Sequence, residues 1–281
     1  MINSNGELLS EQQAKISIFN RGLAYGDALF ETIKTLNGKI LFWEDHYFRL
    51  MASMRILRME IPMKFTPEFL ESQILELLNH NISNSNSFRV KLTVFREQGG
   101  FYTPQTNDVN YFITAASLET DLYLSNPLDY RVELFKDFYV TPGLLSTLKT
   151  NNKVLNVLGS IYAKENQYDN CLLLNTNKSI VEALNGNLFL VKGNTIKTPP
   201  LDDGCLKGIM RKQVLEILKK IPEFECIEAS ISPFELQKAD ELFVTNVIQG
   251  IQPITGFRKK SFSSKVSQSI LAKLNMTVRL A

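Results

Sequence analysis

The stretch LLSTLKTNNKVLNVLG, residues 144–159, sets Lys149 among apolar residues immediately before an amphipathic helix that we predict over residues 152–167. A lysine in apolar surroundings has a lowered pKa, and its neutral amine can bond to a carbonyl carbon of a cofactor. An exposed lysine before a helix is the ordinary alternative. The stretch therefore marks a candidate catalytic residue without deciding its role, and the elements around it indicate the fold class.

The elements that flank this stretch are short strands. Those after the lysine are predicted to form hairpins, with turns at Asn185-Gly186 and Gly193-Asn194, and another helix begins at Gly208. The predicted strands are residues 131–140 before the lysine and residues 171–175, 180–184, 187–191 and 194–197 after it.

The first half of the chain combines helices with strands. The predicted elements are a strand at residues 39–43, a helix at 45–58, a helix opened by Thr66-Pro67-Glu68, and strands at 88–95 and 110–116. In the strand FRVKLTVF, residues 88–95, alternation puts Arg89 and Lys91 on one face, directed either toward a pocket or toward water. Strands and helices do not alternate regularly, which predicts an α+β fold with domains at residues 1–118 and 125–281 and a linker at 119–124.

Composition and charge narrow the class of protein. The 281 residues carry a net charge of +2, with 44% hydrophobic and 21% charged residues, as in ordinary globular proteins. This balance gives no reason to expect nucleic acid or a membrane as a partner. Three cysteines and two histidines offer no ligand set for zinc, and no metal is expected. The polar N-terminal stretch lacks a signal-peptide pattern and the cysteines fit a reducing compartment, so we expect a cytoplasmic protein.

Glu182 is a carboxylate within an apolar segment, SIVEALNGNLFLV, residues 179–191. If this carboxylate is buried, it needs a cation or a hydrogen-bond donor, and a protonated pyridine nitrogen would serve. Strand alternation is equally compatible with a Glu182 side chain that faces solvent.

Two further segments have the composition of phosphate-binding sites. The segment GCLKGIMR, residues 204–211, joins a loop to a helix start, where backbone N–H groups and the helix dipole attract phosphate, although its glycines also suit an ordinary turn. His46 and Arg49 lie on one side of their helix, and arginine binds phosphate in bidentate fashion. A surface salt bridge from Arg49 to Glu44 or Asp45 is the competing interpretation.

Together and in this order, the segments resemble the fold-type IV pyridoxal-phosphate enzymes, the class IV aminotransferases, whose members include branched-chain aminotransferases, D-amino-acid aminotransferases and aminodeoxychorismate lyases. The matching blocks cover nearly the whole chain and are RGLAYGDALFET (residues 21–32), HYFRL (46–50), KTNN (149–152), Glu182 with NLF (187–189), GIMR (208–211) and ADELFVTN (239–246). The resemblance implies a two-domain fold-type IV architecture like that of D-amino-acid aminotransferases, with pyridoxal 5'-phosphate as cofactor. It also implies a small-molecule amino substrate and a homodimer with active sites near the subunit interface.

The resemblance further implies roles for individual residues. Lys149 would carry the cofactor and move protons at the α-carbon of the substrate, Glu182 would pair with the ring nitrogen, and Arg49 would bind the phosphate. The other cofactor contacts would come from Leu206, Gly208, Ile209, Met210, Asn246 and Val247. The substrate pocket would be formed by Tyr25, Phe30, Thr32, Lys34, Arg89, Lys91 and Arg96. The cations of that pocket are the candidates to bind substrate carboxylates.

One segment departs from the family pattern. Aminotransferases commonly have a Gly-Thr or Ser-Thr step after the last core strand, whereas this chain has Asn246-Val247. The hydroxyl that would bind phosphate is missing there, and the backbone N–H of Val247 is the group that could replace it.

The family divides into lyases and aminotransferases after shared first chemical steps. Three segments resemble the aminodeoxychorismate lyases, which release pyruvate and p-aminobenzoate, a folate precursor: GDALFET (residues 26–32), FREQGGFYTP (95–104) and TNVIQGIQPIT (245–255). Lys34 stands where branched-chain enzymes carry an arginine, and Arg96-Glu97-Gln98 lacks the Arg-x-His pair expected of D-amino-acid enzymes. We therefore expect a lyase, with a branched-chain or broad-specificity aminotransferase as the alternative and a catalytically silent homologue as the third.

Overall fold

The computed structural model describes residues 1–81, 85–124 and 129–280, and the chain divides into two compact units. The first unit is Met1–Asp121 together with Lys149–Asn152, and the second is Leu122–Leu148 together with Lys153–Ala281. The predicted linker, residues 119–124, contains neither helix nor strand, and residues 125–128, where the predicted second domain begins, lie outside the described residues. That residues 1–118 and 125–281 fold as separate domains stays a prediction.

A six-stranded sheet forms the centre of the first unit. Its strands are β1 (Ile2–Ser4), β2 (Glu7–Leu9), β3 (Ala28–Leu36), β4 (Lys39–Ile40), β5 (Ser87–Arg96) and β6 (Val109–Ser117). They are arranged in the order β2-β1-β6-β5-β3-β4, and neighbouring strands are antiparallel. The helices of this unit are α1 (Arg21–Tyr25), α2 (Trp43–Ile56) and α3 (Pro67–His80).

Helices α2 and α3 each bury one apolar face. The buried residues include Leu50, Met51 and Met54 of α2 and Leu70, Ile74 and Leu77 of α3. The Thr66 hydroxyl accepts a hydrogen bond from the backbone N–H of Phe69, as expected for a helix cap. The strand predicted at residues 39–43 is too long. Phe42 adopts a left-handed conformation (φ 55°), which turns the chain out of β4 and into α2.

The second unit contains two five-stranded sheets. The strands are β7 (Arg131–Val140), β8 (Asn170–Asn175), β9 (Ile180–Ala183), β10 (Asn187–Lys192), β11 (Thr195–Thr198), β12 (Glu225–Glu228), β13 (Glu241–Asn246), β14 (Gly250–Ile254), β15 (Gly256–Phe257) and β16 (Lys260–Ser261). The helices are α4 (Val154–Glu165), α5 (Ile209–Leu218), α6 (Pro233–Lys238) and α7 (Lys265–Leu280), with 3₁₀ turns at Leu144–Thr147 and Leu201–Asp203.

The two sheets of the second unit have the strand orders β12-β11-β10-β13-β14 and β16-β15-β7-β8-β9. One apolar core draws on both sheets and includes Val132, Leu172, Leu188, Leu242 and Phe257. The pairs β8–β9 and β10–β11 are antiparallel, as predicted. The prediction that β9 and β10 form a hairpin is wrong. These strands belong to different sheets, because the tight turn at Asn185-Gly186 carries the chain from one sheet to the other.

The segment Lys149–Asn152 adds a short stretch to the edge of β3. The Phe30 N–H donates to the Lys149 carbonyl at 2.9 Å, and the Asn151 N–H donates to the Ala28 carbonyl at 3.0 Å. Leu29 and Thr150 form an antiparallel bridge. These contacts group Lys149 with the first unit, whereas the sequence assigned it to the C-terminal domain. The short β4 pairs only with the far end of β3, so the near end accepts this segment.

Within the described ranges, no helix combines the length and the hydropathy that a membrane span requires.

Candidate functional site

Lys149 lies beside the aromatic ring of Phe30 in the first unit. Its Nζ atom is 4.4 Å from the ring centroid, and the Nζ atom of Lys91 is 4.9 Å from the same centroid. The ring quadrupole attracts an ammonium group placed over its face. Two amines are thereby held at one partly buried ring, where one can act as a nucleophile or proton carrier and the other can bind an anion.

The register of the sheet explains how Lys91 reaches this ring. Strand β3 pairs with β5 so that Thr32 is opposite Lys91 and Lys34 is opposite Arg89. Opposed residues project to the same side of a sheet, so these four side chains share a face with Phe30. Lys91 is half-buried and Arg89 is exposed. Burial and the neighbouring Arg89 guanidinium lower the pKa of Lys91.

Lys34 is a buried lysine, with only 2% of its surface exposed. Its Nζ atom donates to the carbonyl of Thr120 at 3.4 Å. Burial lowers the pKa of Lys34, and the nearby Asp121 carboxylate opposes this shift. These contacts commit the Lys34 ammonium to the protein interior and disfavour its predicted role as a substrate cation.

On the opposite face of the sheet, Glu31 binds two side chains of α2. Its Oε1 atom accepts from Arg49 Nε at 2.8 Å and its Oε2 atom accepts from Arg49 Nη2 at 2.5 Å. Oε2 also contacts His46 Nδ1 at 2.7 Å. His46 and Arg49 do lie on one side of their helix as predicted. Glu31 is a partner that neither interpretation of Arg49 anticipated.

The charge state of this cluster follows from its contacts. Burial alone would raise the pKa of Glu31, but Arg49 and His46 outweigh burial and lower this pKa to about 2. Burial lowers the pKa of His46, against the hydrogen bond to Glu31. With an ionised Glu31, Nδ1 of a neutral His46 must carry the proton. The Nε2 atom of His46 is buried and has no hydrogen-bond partner among the described residues.

Arg96 projects from β5 to the face opposite Lys91. Its Nε donates to Asp27 at 2.9 Å, and its other nitrogens donate to Asn107 Oδ1 at 2.6 Å and to the Leu57 carbonyl at 2.6 Å. A guanidinium has five N–H donors, and most of those of Arg96 donate to protein acceptors. The predicted role of Arg96 as a substrate cation is disfavoured by these contacts.

Tyr25, the last residue of α1, lies next to an exposed loop. Its ring is 5.6 Å from that of Tyr102 and 5.0 Å from the guanidinium carbon of Arg21. Arg21 donates to the carbonyls of the loop residues Gly99–Tyr102. The structure thus ties Tyr25 to this loop, and its predicted role in a substrate pocket stays a prediction.

In the second unit, Glu182 is held by two donors. Its Oε2 atom accepts from the Leu206 backbone N–H at 3.0 Å and from Asn187 Nδ2 at 3.3 Å. Asn187 Nδ2 also donates to the Leu206 carbonyl at 2.9 Å. Glu182 is half-buried rather than fully exposed to solvent. A carboxylate held in this way can present its charge to a cationic ring nitrogen.

Helix α5 begins immediately after Gly208. This N-cap glycine makes no side-chain cap, and a Cβ at its position would overlap Oδ1 of Asn187, so the close approach requires glycine. Ile209 and Met210 form the buried first turn. The first N–H groups of a helix have no partner within the helix, and together with the dipole they attract phosphate.

Asn246 ends β13, and Val247 begins the turn that leads to β14. The Asn246 Oδ1 atom accepts from the N–H groups of Ile248 and Gln249, and the Val247 carbonyl accepts from the Tyr123 hydroxyl at 2.9 Å. The Asn246 side chain therefore stabilises its own turn. The hydroxyl of Thr245 is buried and has no partner among the described residues.

The predicted residues thus lie in two groups, one in each unit, and both suit a phosphorylated aromatic cofactor. The first group supplies the Lys149 amine and the Arg49 guanidinium. The second supplies the Glu182 carboxylate and an N-terminus of α5 that no side chain caps. An amine for a carbonyl carbon, a cation and helix N–H groups for a phosphate, and a carboxylate for a ring nitrogen are the groups that such a cofactor needs.

Two residues of these groups were not predicted as site residues, Glu31 and Asn187. Glu31 could have been found by the argument applied to Glu182, because it is a carboxylate within the apolar strand β3. Asn187 gives no comparable signal. Its importance comes from the approach of Gly208 and Leu206, which are distant in sequence.

Comparison with known proteins identifies the family. Residues 28–257 match the family described as Amino-transferase class IV. A Methanocaldococcus jannaschii protein, provisionally described as a branched-chain-amino-acid aminotransferase, is 29% identical over 96% of this chain and 92% of its own length. The D-alanine aminotransferase of Listeria monocytogenes serotype 1/2a is 28% identical over 89% of this chain and 85% of its own length.

Solved structures show the same fold. The branched-chain aminotransferase of the thermophilic archaeon Thermoproteus uzoniensis, solved with norvaline, has a TM-score of 0.86 and 23% identity, with 97% of this chain and 92% of that chain covered. A Legionella pneumophila protein, provisionally described as 4-amino-4-deoxychorismate lyase, has a TM-score of 0.85 and 21% identity, with 95% and 96% covered. Another branched-chain amino acid aminotransferase of this fold was solved with pyridoxamine 5'-phosphate. At these identities the likeness establishes the fold alone.

The chain belongs to the class IV aminotransferase family. The predicted fold-type IV architecture is confirmed, as are the predictions that the protein is an enzyme and that its cofactor is pyridoxal phosphate, the cofactor of this family. The roles of individual residues, the reaction after the shared first steps and the oligomeric state stay predictions.

Proposed function

We propose that the protein is an amino-acid aminotransferase, which moves an amino group between an amino acid and a 2-oxo acid. The observation that carries this proposal is the pair of amines at Phe30. Lys149 can take and return a proton at the substrate's α-carbon, and Lys91 can bind an α-carboxylate. The relatives from Methanocaldococcus jannaschii and Listeria monocytogenes, described as aminotransferases, support the same reaction type.

The cations on the face of the sheet that carries Phe30 favour a substrate with one carboxylate near the reacting carbon. Of the four predicted cations, Lys34 and Arg96 are engaged with the protein interior. Lys91 remains at Phe30, with the exposed Arg89 two residues away on the same face. An amino acid needs one such cation for its α-carboxylate, whereas a dianionic ring substrate needs two or more.

The residue roles proposed for this reaction follow from the two groups. Lys149 holds the cofactor, Glu182 keeps its ring nitrogen protonated, and Arg49 binds its phosphate with the N–H groups of Ile209 and Met210. Leu206 packs against the ring, and Val247 offers its backbone N–H. When bound, pyridoxal phosphate withdraws electrons from the bonds at the substrate's α-carbon.

Product analysis with two substrate sets tests this proposal. The protein, supplied with pyridoxal phosphate, is given L-leucine, L-glutamate or D-alanine with a 2-oxo acid acceptor, and separately aminodeoxychorismate without an acceptor. We expect stoichiometric amino transfer in the first set, abolished by Lys149→Ala. Formation of p-aminobenzoate and pyruvate in the second set, without amino transfer in the first, would overturn the proposal.

A 4-amino-4-deoxychorismate lyase is the second candidate. It is favoured by the segment at residues 245–255, whose lyase-like pattern forms the β13–β14 hairpin, and by Arg89, which adds a second cation on the face of Lys91. If the lyase reaction is observed, we expect Arg89→Gln to weaken binding of the dianionic substrate. For an aminotransferase the same change has little effect, because Arg89 is exposed.

We further propose that the protein forms a homodimer through α4. Four large apolar side chains on this helix are exposed, with the spacing i, i+3, i+4 and i+7: Val154, Val157, Leu158 and Ile161. This spacing makes one continuous apolar stripe, which a soluble monomer rarely leaves uncovered. A second copy of the chain brings an identical stripe, so the contact is self-complementary.

A further inference from the structure

The cluster of Glu31, His46 and Arg49 lies in the interior of the first unit. Glu31 and His46 are buried, and the Arg49 side chain is 10% exposed. A buried carboxylate is retained where cations and donors satisfy it, and Glu31 has both. We infer that Glu31 is a positioning residue that fixes the guanidinium plane of Arg49 for the cofactor phosphate. The inference rests on the proposed phosphate-binding role of Arg49.

The geometry of the ion pair fixes a plane rather than only a charge. Glu31 accepts from Nε and Nη2 of Arg49 through two different oxygens, so carboxylate and guanidinium are held edge to edge. This contact uses the Nε–Nη2 edge of the guanidinium. An arginine side chain free to rotate would lose conformational entropy on binding a phosphate, whereas a fixed one has already lost it.

His46 holds the carboxylate from the same helix as Arg49. Its Nδ1 atom is 2.7 Å from Glu31 Oε2, the oxygen that also accepts from Arg49 Nη2. Glu31 is in β3, while His46 and Arg49 are in α2, with His46 about one helical turn before Arg49. The Glu31 carboxylate therefore links the strand to the helix at both residues. The orientation of Arg49 therefore depends on a strand as well as on its own helix.

Glutamine cannot replace Glu31 in this arrangement. Three N–H groups point at the carboxylate, two from Arg49 and one from His46. An amide offers one acceptor atom, and its NH₂ group would face a donor. Removing the negative charge would also strengthen the attraction of Arg49 for a phosphate, so loss of orientation and gain of charge have opposite effects on affinity. We expect the loss of orientation to have the larger effect on affinity. The NH₂ group of the glutamine repels the Arg49 guanidinium, which then turns away from the plane that suits the phosphate.

The test compares two ligands that differ only in the phosphate. Apoprotein is titrated with pyridoxal phosphate and with pyridoxal, and affinity is measured by equilibrium dialysis, independently of turnover. We expect Glu31→Gln to weaken pyridoxal phosphate binding about tenfold, the scale on which a lost outer-shell partner weakens a bound ion. Pyridoxal binding stays unchanged. In an Arg49→Lys background, Glu31→Gln has no further effect, because the two residues act through one contact.

Matched variants separate this role from simple destabilisation. Glu241→Gln changes a buried carboxylate of the second unit that accepts from Ser263 and from the N–H groups of Val266 and Ser267. We expect it to lower stability and to leave the ratio of the two affinities unchanged. Glu31→Asp keeps the charge, and we expect it to recover part of the lost affinity. It also replaces Glu31→Gln if the glutamine variant does not fold.

The outcomes distinguish the inference from the proposal beneath it. If Arg49→Lys changes the affinity ratio and neither Glu31 variant does, the positioning role is wrong and the role of Arg49 stands. A ratio unchanged by Arg49→Lys overturns both. Tighter binding of pyridoxal phosphate by Glu31→Gln would show that Glu31 only neutralises Arg49, which also contradicts the inference.

Discussion

Lys149 and Lys91 share one aromatic ring but have different backbone settings. Lys91 is in β5, which is paired on both sides by β3 and β6, so its position is fixed by two sets of hydrogen bonds. Lys149 is on a short segment at the edge of β3, bonded on one side. A fixed cation suits the anchoring of a carboxylate, and a side chain on an edge segment suits proton movement. The sequence identified both lysines as candidates, but it could not show that they meet at Phe30.

Replacement of Lys91 tests its role as carboxylate anchor. We expect Lys91→Gln to raise KM for the amino donor about tenfold, since a hydrogen bond to a charged group contributes about 1.5–3 kcal/mol. The effect on kcat is smaller, because the carboxylate is bound alike before and during the reaction. Steady-state kinetics with Lys259→Gln, a change of an exposed lysine, provide the control. An unchanged KM would exclude Lys91 as the anchor.

Glu31 gives the folded protein a specific acid sensitivity. Its pKa in the folded state, about 2, is below its ordinary value of 4.5. Such a group stabilises the fold fully above pH 4.5, and the stabilisation is lost as the pH falls toward 2. In Glu31→Gln, we expect the free energy of unfolding to fall less steeply over this range, by about 3 kcal/mol in total. Urea unfolding followed by circular dichroism at several pH values measures this, and equal slopes would contradict it.

The elements that hold the second group of residues could be predicted unevenly from the sequence. Helix α5 and strand β9 were predicted within a residue or two, since helix starts and short apolar strands have clear signals. The pairing of β10 with its second partner, β13, could not be predicted. All but the last residue of this strand are buried, so alternation gives no information about which sheet contains it. For the same reason the Asn187–Leu206–Glu182 contacts could be known only from the structure.

The start of α5 depends on the absence of a side chain at Gly208. We expect Gly208→Ala to displace Asn187, loosen Glu182 and lower the free energy of unfolding by about 1–3 kcal/mol. Affinity for pyridoxal phosphate falls as well. Gly143→Ala is the matched control, because a Cβ there meets nothing within 4 Å. If thermal melts and cofactor titrations gave the same values for both variants, the close approach would be unimportant.

For the whole molecule, the sequence predicted the fold class more completely than it predicted which segments belong to which of the two units. Ordered motifs indicated the family, and the match over residues 28–257 confirms it. The association of Lys149–Asn152 with the first unit could not be predicted, because it depends on the open edge of β3 rather than on any local pattern. Engagement of Lys34 and Arg96 in the interior was likewise beyond prediction, since a charged residue in an alternating strand gives no sign of its partner.

The exposed stripe on α4 leads to a prediction about assembly. We expect the wild-type protein to have the mass of a dimer in light scattering coupled to size-exclusion chromatography. Val157→Asp places a charge within the stripe, where 56% of the Val157 surface is exposed, and should shift the mass toward a monomer. Met63→Asp is the control, because Met63 is 100% exposed and lies outside α4. A monomeric wild type, or a dimeric Val157→Asp variant, would contradict this surface.

The half-reaction is the most direct test of the central claim, that Lys149 serves an aminotransferase. Protein carrying pyridoxal phosphate is mixed with an amino donor in the absence of any 2-oxo acid, and the cofactor's visible absorption is followed together with product. We predict one equivalent of 2-oxo acid per subunit, loss of the visible band, recovery of the band when a 2-oxo acid is added, and none of these in Lys149→Ala. Continuous product formation without an acceptor, or an unchanged half-reaction in Lys149→Ala, would contradict the claim.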